Sequence, residues 1–453
     1  MTALPTPRKI WTIGTLTYTT GGLAILFFWL LWGDFAYSLK ERSVPGVVQV
    51  LLKDFHASDT LAAILIGTLP QAIVIVLGPI VGCLSDRHRG PMGRRIPFLA
   101  IPIPFAVLSM VGLAFSPVLG QTLHHVLGIH SPGQNASTLM VIGLFWACFE
   151  IPTIIANAVF GGLVNDVVPH VVIGRFYGLF RALSLIAGII AGRWILGKAE
   201  THYVWIFLGT AALYGFGFLA MCLKVKEGEY PPPPPVVPGE AARFIIGTKT
   251  YFRECFSHSY YLWLFAAITL GWMAFTPANL FNVFFAKSLN MSMDAYWHYI
   301  ALTFVFSLFL AYPLGWLADK FHPLRMGLVM IFLYAAVTLW GGLFAQNSET
   351  FAIALVGHGV LSGCWMTSTA SIGQMLFPKA KFTQFASALA LVLAIGTMIL
   401  GPTIGELLDH SHHFYRFTYL ASSTLAFLAL LVGIVLHAKF MQLGGPKHYV
   451  APD

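Results

Sequence analysis

Apolar residues run through this chain in long unbroken stretches divided by short polar turns. A helix needs about 20 apolar residues to cross a bilayer. Twelve stretches meet that length: 16–39, 59–84, 96–117, 138–164, 175–196, 203–224, 260–286, 294–318, 324–345, 351–377, 383–408 and 415–438. The short alternating strands of a membrane β-barrel are absent from the pattern, and no intervening segment is long enough to fold as a soluble domain. The pattern predicts an all-α integral membrane protein with twelve transmembrane helices. It divides into a six-helix half over 1–224, a linker over 225–258, a second six-helix half over 259–440 and a tail over 441–453.

The turn after the second stretch reads Gly82-Cys83-Leu84-Ser85-Asp86-Arg87-His88-Arg89-Gly90-Pro91-Met92-Gly93-Arg94-Arg95. Gly82 lets two helices approach closely. Asp86 closes one stretch, and Arg94 and Arg95 open the next. A weaker copy, Pro313-Leu314-Gly315-Trp316-Leu317-Ala318-Asp319-Lys320, repeats the order of Gly, Asp and a basic residue. Such repetition marks a chain built from two related halves. Gly-x-Leu-Ser-Asp-Arg followed by Gly-Arg-Arg resembles the loop between the second and third helices of the major facilitator superfamily. That likeness spans nearly the whole chain. The ending Gly93-Arg94-Arg95-Ile96-Pro97-Phe98 resembles the branch of sucrose transporters and glycoside–pentoside–hexuronide cation symporters, and this narrower likeness rests on the one loop. The resemblance implies secondary active transport by alternating access, with the two halves rocking about a mid-membrane site.

Composition agrees: 57% of residues are hydrophobic and only 10% charged. The net charge of +8 does not point to nucleic acid, because the basic residues sit in short loops as membrane topology requires. Arg87, Arg89, Arg94 and Arg95 place their turn in the cytoplasm. The outer side is left with Lys40, Arg42, Lys53, Arg193, Lys198, Lys287 and Arg416. Both termini are then cytoplasmic, in a cell (inner or plasma) membrane. The five cysteines show neither metal spacing nor a disulfide framework, and no cleavable signal precedes the first stretch. The linker holds Pro231–Pro235, a stiff polyproline spacer. The segment 239–255 is suited to lie on the inner membrane surface. Asn135 and Asn290 match the glycosylation triplet, but the short loops suit a bacterial protein, where the match has no meaning. No Ser–His pair, metal-binding His-Glu-x-x-His or paired-Asp motif lies in a span, so an enzyme is not expected. No cofactor or metal is expected either, and the protein is expected to be a monomer.

Charges inside a span need a partner or a cavity. Asp34 lies in the first span and Glu150 near the middle of the fourth. Thr153 and Asn157 follow Glu150 on the same helix face. By resemblance, the first and fourth helices of each half line the cavity, which makes Glu150 and Asp34 candidates for proton coupling. Sodium stays open, and so does a plain packing role. The counterpart helices of the second half carry polar stripes: Trp272, Thr276, Asn279 and Asn282 in one, and His358, Ser362, Trp365 and Thr369 in the other. Indole faces beside amides and hydroxyls suit a sugar. Interhelical glue is the plain alternative. Arg193 and Glu406, near the outer ends of corresponding spans, form either a gate or interfacial residues reaching water. Asp86 with Arg87, Arg94, Arg95 and Asp166 would form an inner latch by resemblance, with simple topology fixing as the alternative. Asp319 marks a doubtful second latch. The expected function is proton-coupled uptake of a sugar or glycoside. Export of amphipathic compounds, organic-anion uptake and a non-transporting sensor are the rivals. The organic-anion reading suffers from the lack of a central cation.

Overall fold

The structure, a computed structural model, describes residues 10–232, 251–378 and 381–452. The prolines beyond residue 232, most of the 239–255 segment, Arg8 and Lys9 lie outside the described residues.

The chain begins with a hairpin that the apolar pattern did not indicate. Strand β1 (Ile10–Ile13) pairs antiparallel with β2 (Leu16–Thr19), with Ile13 opposite Leu16. Gly14, at φ +53°, supplies the left-handed residue that a two-residue hairpin turn requires. The first helix therefore starts later than expected, and it also runs much further. Helix α1 spans Thr20–Asp54. Val44, Val47, Val48 and Leu51 resume the apolar pattern beyond the charged residues, and all four are buried. The expected outer loop after residue 39 is thus helix, and Lys40 is fully buried rather than outside.

The longer helices that follow are α2 (Asp59–Arg87), α3 (Ile96–Ala114), α4 (Ser116–Leu127), α5 (Gln134–Val167), α6 (His170–Ile190), α7 (Ala199–Lys224), α8 (Ser259–Ser288), α9 (Met293–Phe321), α10 (Pro323–Phe344), α11 (Ser348–Leu376), α12 (Phe382–His410) and α13 (Arg416–Gln442). Among the described residues, eleven helical stretches are long and apolar enough to cross a membrane, and one of them, His170–Lys224, has 55 residues. At 1.5 Å per residue that is roughly 80 Å, against a hydrocarbon core of about 30 Å. It breaks at a π turn (Ala191–Ile195) and a 3-10 turn (Leu196–Lys198), so it supplies two crossings, α6 and α7, and the total is twelve. The short α4 is amphipathic and adds none.

The chain packs as two compact units, Met1–Leu51 with Ile73–Pro235, and Leu52–Ala72 with Val236–Asp453. The boundary cuts through α2, whose π turn at Ile64–Thr68 lies just before Pro70. Proline lacks the amide that would continue the helical ladder, which favours such a bulge. In the first unit, Gly112 admits Phe145 so closely that a Cβ would stand 2.2 Å from its ring. In the second, Gly271 does the same for Trp365, at 2.4 Å. Helix α8 breaks at Ala274–Phe275, ahead of Pro277. Asn347 and Thr350 form a reciprocal capping box at the start of α11.

Candidate functional site

In the first unit α1 and α5 bring together a cluster of charges. Asp34 is 2% exposed. Its Oδ1 accepts from Ser38 Oγ at 3.4 Å, while its Oδ2 is buried with no hydrogen-bond partner. Six residues on, Lys40 donates from Nζ to Thr153 Oγ1 at 2.7 Å and lies 3.2 Å from Glu41 Oε1. The rings of Tyr37, Phe149 and Tyr214 surround the ammonium at 4.3–5.0 Å. A buried cation is tolerable only with such compensation: a carboxylate, a hydroxyl and three ring faces. Glu150, one turn before Thr153 and almost buried, interacts electrostatically with both Lys40 and Glu41.

Beside this cluster lies a cavity of about 340 Å³. Asp34, Ser38, Glu41, Arg42, Asn157 and Ser184 supply its polar wall; Tyr37, Phe160 and Phe180 supply its aromatic wall. Asp34, Ser38 and Glu41 fall at i, i+4 and i+7, one helix face. That spacing was readable in the sequence. It was missed because Lys40, Glu41 and Arg42 looked like a water-facing end. Two expectations are corrected here: Arg42 is not an outer-loop residue, and the cavity does have a cation in its wall.

The second unit divides its polar stripes. His358 is buried. Its Nε2 lies 3.0 Å from Asn279 Oδ1 and its Nδ1 2.8 Å from the hydroxyl of Tyr334. Both ring nitrogens are thus committed within the protein. Asn282 is buried and accepts from Tyr419 at 3.0 Å. Ser362 and Thr369 donate to carbonyls of their own helix. Trp365 is 5% exposed, stacked edge-on to Trp272 and to Phe275. Of these stripes Trp272 and Asn279 are exposed, and Thr276 and Thr369 are partly so. His358 therefore anchors Asn279 by its oxygen and leaves the amide NH₂ free to turn outward. Tyr334 and Tyr419, which hold this arrangement, come from α10 and α13, where no local pattern marks them.

The signature turn is tightly bonded. Arg94 donates twice to Asp166, from Nε at 2.9 Å and from Nη2 at 2.6 Å. Arg95 donates to Asp166 Oδ2 at 3.1 Å, to Ser85 Oγ at 2.7 Å, and pairs with Asp86. Burial opposes the Arg94 charge, but Asp166 outweighs it and holds the guanidinium above its ordinary range. Glu227, which sequence reasoning left in the linker, accepts the backbone amides of Arg94, Arg95 and Ile96 at 3.1, 2.8 and 2.8 Å. Its carboxylate thus caps the positive start of α3. Tyr230 donates to Glu227 at 2.9 Å, and its ring lies 4.1 Å from the Arg94 guanidinium. Arg87 is exposed at the edge of this cluster. Asp319 is exposed and pairs with no described residue, and Lys320 instead lies over Trp316 and Phe321. Arg193 is exposed in the first unit, in the π turn, and Glu406 is exposed on α12 in the second.

Residues 31–380 match the family described as MFS/sugar transport protein. The chain belongs to this family. It is a multi-pass membrane transporter rather than an enzyme, in agreement with the superfamily resemblance of the signature turn and with its sugar-transporting branch. No curated protein matches the chain. Solved structures with the same fold include the inward-open xylose transporter XylE from E. coli, at 11% identity over 91% of this chain and 96% of that one, TM-score 0.64. A peptide transporter POT in complex with sulfate is 18% identical over 93% and 94%, TM-score 0.64. A bacterial homolog of the human lysosomal transporter Spinster is 15% identical over 95% and 98%, TM-score 0.63. At these identities the likeness speaks for the fold alone.

Proposed function

We propose that this transporter takes up a sugar or glycoside together with a proton, with Glu150 and Asp34 as the coupling carboxylates. The observation that carries the reading is the buried Asp34 Oδ2, which lacks a partner in the wall of a polar and aromatic cavity. A carboxylate oxygen in that setting calls for a proton or for a ligand donor. Asn157 lines the same cavity, and Glu150 and Thr153 stand beside it on one helix. In the second unit, Trp272, Thr276 and Asn279 offer an indole face, a hydroxyl and a free amide, the groups that cover a sugar's C–H face and bond its hydroxyls. The family description favours a sugar, and solved structures of the same fold include a D-xylose–proton symporter. Alternating access follows from the family: the two halves rock about a central site. The protein sits in the cell membrane with both termini cytoplasmic, and works as a monomer without a cofactor.

The test uses purified protein in vesicles. A thermal-shift screen against mono- and disaccharides first finds a ligand, since binding to the native state raises apparent stability. Uptake of that sugar is then driven by a pH gradient. Glu150→Gln mimics the protonated carboxyl, so it should abolish accumulation yet still allow exchange of substrate between the two sides. Accumulation by the Gln variant against a gradient would sink the proton-coupling role, and a sodium-dependence test would come next.

Organic-anion uptake is a second reading, and one observation now favours it: Arg42 stands in the cavity wall. Competition decides. A sugar acid that displaces the substrate better than its neutral parent supports the anion reading.

A further inference from the structure

A second polar cluster lies wholly within the second unit. Asp59, at the start of α2, is fully buried. Its Oδ2 is 2.6 Å from His413 Nδ1, and its Oδ1 accepts from the Tyr415 hydroxyl at 2.9 Å. Asp409, near the end of α12, accepts from the Asp59 amide at 2.8 Å, the Thr60 amide at 3.0 Å and the Thr60 hydroxyl at 2.6 Å. Lys53, at the end of α1, donates to the Tyr415 oxygen at 2.6 Å. All four carboxylate oxygens are therefore already taken by donors of the chain. Burial and the Asp59 carboxylate push the Tyr415 hydroxyl far above its usual range, so it stays a donor. His412 and His413 both hold positive φ, +54° and +60°, a conformation that non-glycine residues adopt at an energetic cost.

We propose that Asp59, Asp409 and His413 form a second proton-binding site, whose occupancy sets how firmly residues 52–72 are held to the second unit. The charged groups around His413 are Asp59 from α2, Asp409 from α12 and Lys53 from α1, with the Asp54–Lys287 pair nearby. The Asp54–Lys287 pair cancels itself. With His413 protonated, two cations face two carboxylates. With it neutral, one cation faces two carboxylates, and the acids repel. Histidine changes charge between about pH 5 and 8. His413 makes an ion pair with Asp59 and Asp409 only while its ring carries a proton, so the clasp is firm at low pH and loosens as pH rises. The segment it holds begins with the last residues of α1, the helix that carries Asp34 and Lys40. This inference does not depend on the substrate.

The Asp59 and Thr60 amides report the clasp directly, because both donate to Asp409. In the full chain in lipid nanodiscs, hydrogen–deuterium exchange of these amides is measured at pH 5.5 and pH 8, corrected for the intrinsic pH dependence of exchange. Protection should be greater at pH 5.5 by about fivefold or more, the scale of a modest coupling. His413→Gln should remove that difference. Equal protection of the unmodified protein at both pH values would overturn the proposal without need of any variant. A difference that survives in His413→Gln would assign the effect to the neighbouring His410 or His412 and would equally overturn it.

Discussion

Lys40 shows how a single buried charge organises its surroundings. An ammonium without water costs several kcal/mol, and breaking a buried pair costs about 3–5 kcal/mol because the other charge is stranded. Here the stranded partners differ. Glu41 is 38% exposed on its side chain and finds water, whereas Glu150 is nearly buried. Lys40→Met should therefore destabilise the protein mainly through Glu150. Adding Glu150→Gln removes the stranded charge and should restore part of the loss. The expected coupling is about 1 kcal/mol or more, read from melting temperatures of the two single variants and the double. Strict additivity would show that Lys40 does not balance Glu150. The same residue explains a limit of the sequence. A Lys-Glu-Arg triplet after an apolar run reads as water-facing, since nothing local reveals that Thr153, over a hundred residues away, and three rings will enclose it.

At the level of elements, the apolar runs were legible because every crossing must satisfy its backbone internally over about 20 residues. Eleven of the twelve runs agree with the observed helices to within a few residues; α1 departs because its charges pair inside the unit. The signature turn was legible in part. Asp86, Arg94, Arg95 and Asp166 do lie together, but Glu227 sits about 130 residues from the amides it caps and carries no local signal. Likewise Asp59 and His413 meet only through tertiary packing. Exposure ranks the acids of the turn. Asp166 is 14% exposed on its side chain and takes three hydrogen bonds from two arginines, whereas Asp86 is 60% exposed and pairs with one. An exposed pair contributes little. If this cluster is an inner latch, Asp166→Asn should slow transport by about tenfold, the scale of one or two charge-assisted bonds, and Asp86→Asn by much less. Ligand affinity should stay nearly unchanged in both. A fall in binding that matches the fall in transport would place these residues in substrate binding and end the latch reading.

For the whole molecule, the twelve crossings fix which loops share a side, and the basic residues choose the side. One crossing, α3, separates the signature turn from α4 and the loop that follows. The turn holds four arginines, whereas 116–133 holds no lysine or arginine at all. Positive charge is retained in the cytoplasm, so the turn should be inside and the 118–137 region outside. Two exposed positions report each side: Met92 in the turn, 49% exposed, and Ile129 after α4, 96% exposed. In a background without the five native cysteines, Ile129→Cys should react with a membrane-impermeant maleimide in intact cells, and Met92→Cys only after the cells are opened. The reverse labelling would keep the crossing count but invert the orientation, and both proposed termini would then lie outside. Labelling of both positions in intact cells would mean that α3 does not cross, against its 19 residues and mean hydropathy of 2.1. That outcome would overturn the twelve-span arrangement on which the pairing of α1 with α5 across one cavity depends.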